Sequence, residues 1–186
     1  MQPSTMLASI VSLLPLALAL PLDSRDTQKF EITALSASLP VLGVYGTGPR
    51  DAPISITVAY PDLSTSGANL TTKCSYLWLA EDGPGPIEWT PCDDPALQWR
   101  LPEAGWTSPA NYVVELYLAS PLNDGTGLDA SHQLKMDPSQ SGDPNAYISC
   151  LQMGKFQPST CVLNGPLSGK PGPVVMDGHK VAVRPS

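Results

Sequence analysis

Ile54-Ser55-Ile56-Thr57-Val58-Ala59-Tyr60 decides the fold class. Its apolar side chains fall at every second position with smaller or polar ones between them, the period of a strand that buries one face. The same alternation recurs outward in both directions. Upstream, Phe30, Ile32 and Ala34 alternate in Phe30-Glu31-Ile32-Thr33-Ala34. Downstream, Thr72 to Leu79 places Cys74, Tyr76 and Trp78 on one face, and Asn111 to Ala119 does the same with Tyr112, Val114, Leu116 and Leu118. Shorter strands are expected at Ile87-Glu88-Trp89, Leu97 to Leu101, Tyr147 to Leu151, Cys161 to Leu163, Val174-Val175 and Lys180 to Val183. Between them lie turns such as Asp82-Gly83-Pro84-Gly85-Pro86 and Asn123-Asp124-Gly125. The 21 prolines spread over 186 residues oppose long helices. Many short strands joined by such turns predict an all-β chain, a single antiparallel β-barrel or sandwich. The polar loops Asp137 to Asn145 and Gly165 to Pro173 separate no segments large enough to be independent domains.

The first twenty residues read differently. Met1 to Leu20 carry no charged side chain, and the apolar run from Ile10 ends in the small-x-small pattern Ala17-Leu18-Ala19. Asp23, Arg25, Asp26 and Lys29 follow at once. This pattern predicts a secretory signal peptide over residues 1–19 and a single secreted β domain over 20–186. The apolar run is too short to span a bilayer, and no second long run follows, so no membrane association is expected after signal removal. With 10 basic against 17 acidic residues the formal net charge is −7, and no cluster of Lys and Arg occurs. Nucleic acid is excluded as a partner, since phosphate binding needs a basic face. At 42% hydrophobic residues the chain is too apolar for a disordered acidic tail.

Secretion sets the reading of the four cysteines, Cys74, Cys92, Cys150 and Cys161. An even number in an oxidising compartment implies disulfides, with three connectivities open. Pairing Cys74 with Cys92 and Cys150 with Cys161 is favoured, because each pair flanks a short turn-rich stretch that can bring its ends together. No Cys-x-x-Cys spacing exists and both His132 and His179 stand alone, so no metal site is expected. Asn69-Leu70-Thr71 is the one glycosylation sequon, placed by Ser64 to Asn69 in an exposed loop.

Catalytic chemistry finds little to stand on. Only His132 and His179 could act as a base, neither beside a Gly-x-Ser-x-Gly motif, and both are expected to be solvated in polar loops. Glycoside hydrolysis needs two placed carboxylates. Glu31, Glu81, Glu88, Glu103 and Glu115 are available, with Glu88 and Glu115 on expected strands, and solvent-facing roles are expected for them. Asp93-Asp94 lacks the rest of a calcium loop. No catalytic residue and no cofactor is therefore assigned. Four tryptophans, Trp78, Trp89, Trp99 and Trp106, interleave with the first cysteine pair. Alternation puts Trp78 with Cys74 on a buried face, and Trp89, Trp99 and Trp106 are the candidate ligand-contacting aromatics, with core filling as the competing role.

Cys74-Ser75-Tyr76-Leu77-Trp78, Trp89-Thr90-Pro91-Cys92, Leu97-Gln98-Trp99-Arg100-Leu101 and Tyr112-Val113-Val114-Glu115-Leu116 together resemble the small secreted proteins of ascomycete fungi. The pattern is similar to the family typified by the Alternaria major allergen, a secreted β-barrel, and spans most of residues 30 to 183. The resemblance implies two local disulfides and an allergen- or effector-like role toward a host, with an apolar ligand among the suggested cargoes. It carries over no catalytic residue. Some members have a cysteine near the mature N-terminus that links a dimer, whereas this chain has none before Cys74. The expected function is a non-enzymatic secreted protein that binds a host extracellular protein or a small apolar ligand. The alternative is an extracellular carbohydrate-binding or carbohydrate-active protein using some tryptophans and the Glu88 and Glu115 pair. Non-reducing peptide mapping of the secreted protein is expected to return the two local disulfides, an N-terminus at Leu20 and a glycan on Asn69. Crossed cysteine pairs would remove the resemblance.

Overall fold

The computed structural model describes residues 28–39, 51–65, 67–79, 82–122, 124–139, 142–154 and 157–186. The expected signal segment, residues 1–19, and the carboxylate candidate Glu81 lie outside these. Eleven strands run through the described residues: β1 Lys29–Leu39, β2 Asp51–Pro61, β3 Asn69–Leu79, β4 Thr90–Pro91, β5 Leu97–Arg100, β6 Asn111–Ala119, β7 Gly127–Lys135, β8 Ile148–Gln152, β9 Ser159–Leu163, β10 Val174–Asp177 and β11 His179–Val181. A 3-10 turn, Glu103–Gly105, precedes β6. All pairings are antiparallel. The first sheet has the order β3-β2-β1-β9-β8, with β10 also against β1, and the second has the order β11-β7-β6-β5-β4. The sheets stay separate and do not close on each other, so of the two expected architectures the sandwich is the one formed.

Alternation explains which side chains meet between the sheets. Ile54, Ile56, Val58 and Tyr60 of β2 are at most 2% exposed, and Tyr112, Val114, Leu116 and Leu118 of β6 supply the facing row. Full burial of each such side chain stabilises the fold by roughly 1.5–3 kcal/mol. One expected row breaks. Phe30 and Ile32 are buried, but Ala34 points to solvent. The β1–β2 register shifts between Ile32 and Ala34, so an extra residue is inserted and the inward set resumes at Leu35, Ala37 and Leu39. A bulge shifts the period by one and hands the buried face to the next residue.

Two further expectations are corrected. Ile87-Glu88-Trp89 forms no strand; after the cis Gly85–Pro86 bond this segment runs as a loop, fastened where the Leu101 N–H donates to the Pro86 carbonyl at 2.6 Å. Conversely, β7 is a central strand of the second sheet that no apolar run announces. Its inward positions, Leu128, Ala130, His132 and Leu134, do alternate, with only two large apolar residues among them.

Both expected disulfides are formed, and they do different work. Cys150–Cys161 clasps the β8–β9 hairpin within the first sheet, where the two residues lie directly opposite. Cys74–Cys92 joins β3, at the edge of the first sheet, to the residue after β4, at the edge of the second. Around it the Asp93 N–H donates to the Lys73 carbonyl at 2.8 Å and the Asp94 N–H to Thr72 Oγ1 at 2.9 Å. The Tyr60 hydroxyl donates to the Asp94 carboxylate, which together with burial holds the phenol pKa well above its usual value. In the chain-entropy model each bridge contributes about 3 kcal/mol. Replacing Cys74 and Cys92 with alanine is expected to lower the unfolding free energy by about 3 kcal/mol in urea denaturation. An unchanged midpoint would mean that the surrounding hydrogen bonds hold the corner without the covalent link.

Candidate functional site

The tryptophans do not form one row. Trp99 on β5 is 0% exposed, so it belongs to the core and is removed from the candidate ligand-contacting aromatics: no ligand reaches a ring enclosed on all sides. Among the described residues its buried indole N–H has no hydrogen-bond partner, nor has the hydroxyl of the core residue Tyr112, whose pKa burial drives upward. Trp78 and Trp106 are partly buried and packed on that core. They meet edge to face with ring centroids 6.4 Å apart, and Trp106 stacks on Tyr112 at 5.1 Å. Tyr76 continues the ladder at 6.3 Å from Trp78. Gly85 lies against the Tyr76 ring so closely that a Cβ there would sit 2.6 Å from a ring carbon. This ladder bridges the two sheets, so Trp106 acts chiefly as packing.

Trp89 stands apart, on the outward face of the second sheet. The Arg100 guanidinium lies over its ring at 4.5 Å from the centroid, and Tyr117 flanks it at 6.0 Å. Arg100 and Glu115 are directly opposite across β5 and β6, and the Arg100 Nε donates to Glu115 Oε2 at 2.6 Å. Glu115, expected to be solvent-facing, is therefore engaged in an ion pair whose two side chains are 14% and 25% exposed. Glu88, its suggested acid–base companion, is exposed in the loop.

The histidines also find places the sequence did not suggest. His132, expected in a solvated loop, sits on the inward row of β7, edge to face with Tyr147 at 5.5 Å. Its Nε2 is buried and has no partner among the described residues, and desolvation, then the Lys170 ammonium, lower its pKa below the usual value. His179 is exposed on β11. Among the described residues no group of three or more His, Cys, Asp or Glu side chains could hold a metal ion.

A groove of about 500 Å³ crosses the outward face of the first sheet. Its floor is a row of three serines in register, Ser36 on β1, Ser55 on β2 and Ser75 on β3. Ser38, Pro53, Lys73 and Leu77 line the rest, with Ile54 and Tyr76, whose side chains belong to the inward rows, beneath it. Leu77 and Leu79 on the outer strand are 57% and 39% exposed. β3 has a partner on one side only. The backbone groups of Lys73 point away from β2, since its carbonyl accepts from Asp93, so those of Ser75 and Leu77 point the same way by the two-residue period. Among the described residues no segment bonds to them. None of this was legible beforehand, because the alignment of the serines depends on the β1 bulge and on the register of three strands. Asn69 is exposed at the start of β3, open to a glycan.

No protein family, curated protein or solved structure matches this chain.

His132 gives the fold a pH dependence. Because its folded-state pKa is lowered, the unfolded chain binds the extra proton first, and stability falls as pH drops below about 6.5. Thermal midpoints measured between about pH 7.5 and pH 5.5 are expected to decline in the native protein and to decline less in His132→Gln. Parallel curves would show that His132 is as well accommodated charged as neutral.

Proposed function

We propose that this chain is a secreted, non-enzymatic binding protein of the allergen- or effector-like type that its cysteine and strand pattern resembles, and that it takes up a host extracellular protein by its β3 edge. Two disulfides fit an oxidising, extracellular setting. The observation that carries the reading is the edge itself: backbone groups at Ser75 and Leu77 face outward beside two exposed leucines and a concave, serine-lined groove. Main-chain donors and acceptors in a row are met by another polypeptide that adds a strand, while adjoining pockets take alternate side chains. A small apolar ligand would use the leucines and leave those groups unpaired. Lys73 at the groove favours a carboxylate on the incoming segment.

Leu77→Pro isolates this mode. It removes an N–H that points away from β2, a position where an edge strand tolerates proline. A partner retained saturably from host extracellular fluid and cross-linked through Lys73 is expected to bind Leu77→Pro at least tenfold more weakly. Equal retention by both proteins would exclude the edge, and an apolar fluorophore bound with no protein retained would replace the protein partner by a small ligand.

A further inference from the structure

On the second sheet, away from the β3 edge and independent of that reading, the chain's last residues lie across the outward face. The Trp89 indole N–H donates to the Pro185 carbonyl at 2.7 Å. Arg100 Nη2 donates to the Ser186 main-chain oxygen at 2.8 Å, and Arg184 Nη1 donates to Gln98 Oε1 at 2.7 Å. We infer that Trp89, Arg100 and Gln98 form a recognition site for an extended, proline-containing peptide, and that the chain's own Arg184-Pro185-Ser186 fills it in cis.

The receiving side is built before the peptide arrives. Glu115 fixes Arg100 through Nε from the neighbouring strand, and the guanidinium covers one face of Trp89, so the indole N–H and Arg100 Nη2 are turned toward main-chain oxygens of the tail. The Tyr117 hydroxyl, tied to the Gly125 and Thr126 carbonyls at 3.0 and 3.1 Å, holds the ring that flanks the indole. Neither donor reads a side chain of the tail; both read its main chain. A proline-containing segment suits such donors, because proline fixes φ, biases the residue before it toward extended backbone and brings an acceptor without a competing N–H. Aromatic-lined sites take proline-rich segments for the same reason: little ordering entropy is lost on binding.

The tail bends at Ala182 and Val183 and then runs to its contacts at Pro185 and Ser186. β11 and β5 are three strand positions apart, about 14 Å at ordinary spacing. The five residues 182–186 span about 17 Å at full stretch. Burial does not explain why the tail lies there, since Val183 is 73% exposed and the named contacts are polar. A segment held by a few exposed hydrogen bonds stays in place because its attachment gives it an effective concentration in the millimolar range. The same peptide added in trans must then bind with a dissociation constant of about that size or smaller.

The test uses a variant ending at Val181 and a synthetic N-acetylated peptide, Ala-Val-Arg-Pro-Ser, matching residues 182–186. Backbone amide shifts at Gln98 and Arg100 report binding in the native ring and in Trp89→Phe alike, and the indole N–H resonance of Trp89, assigned by its loss in Trp89→Phe, shows contact with the ring. The shortened protein is expected to bind the peptide saturably with a dissociation constant no weaker than a few millimolar. The full chain is expected to bind it at least tenfold more weakly, and Trp89→Phe in the shortened protein to cost about tenfold, the worth of one hydrogen bond. A peptide with glycine in place of proline should also bind more weakly. Absence of saturation at about 10 mM, equal binding by shortened and full chains, or an affinity unchanged by Trp89→Phe would each overturn the site. If shortening disturbs the amide spectrum, Arg184→Ala with Pro185→Gly in the full chain loosens the tail instead, and must show the same gain in peptide binding.

Discussion

The corner at Cys74 and Cys92 sets the frame for the rest of the molecule. A sandwich of two short-stranded sheets has few covalent reasons to stay in register, because the core between the sheets attracts without direction. Here one bridge ties an edge strand of each sheet, and the hydrogen bonds from Asp93 and Asp94 to Lys73 and Thr72 run alongside it. That alignment brings the inward rows of β2 and β6 to bear on one another and buries Trp99 completely. It also has a cost at the surface. By engaging β3 only near Thr72 to Cys74, the corner leaves the Ser75 to Leu79 part of that strand with an open edge among the described residues.

The two outward faces are consequently unlike. On the first sheet, small hydroxyl side chains in register make a shallow groove beside exposed leucines and a strand edge to which, among the described residues, no segment bonds. On the second, Trp89, Arg100 and Glu115 form an interlocked set that already holds a peptide segment. Both proposed sites offer contacts to polypeptide main chain, and on the second sheet Gln98 adds one side-chain contact, to Arg184.

The strands were legible where burial was one-sided and unbroken. β2 and β6 bury every second residue along their length, so their period shows directly in the chain. Local disulfide pairing followed from short turn-rich spacers. Ala34 was misplaced because a bulge leaves no mark in residue type, and β7 was missed because alanine and histidine fill two of its inward positions. The Ile87 to Trp89 segment has β-forming residues without a neighbouring strand to use them.

Composition and order alone determined the all-β class and the inward rows of β2 and β6, which rest on periods a few residues long, and favoured the two local cysteine pairs among three connectivities. Only tertiary structure decided between barrel and sandwich, since closure depends on which edges pair across the whole chain. It alone separated Trp99 from Trp89, two aromatics ten positions apart that alternation could not distinguish without knowing which face of β5 meets the other sheet and which meets the tail. The serine row likewise exists only once three distant strands share a register.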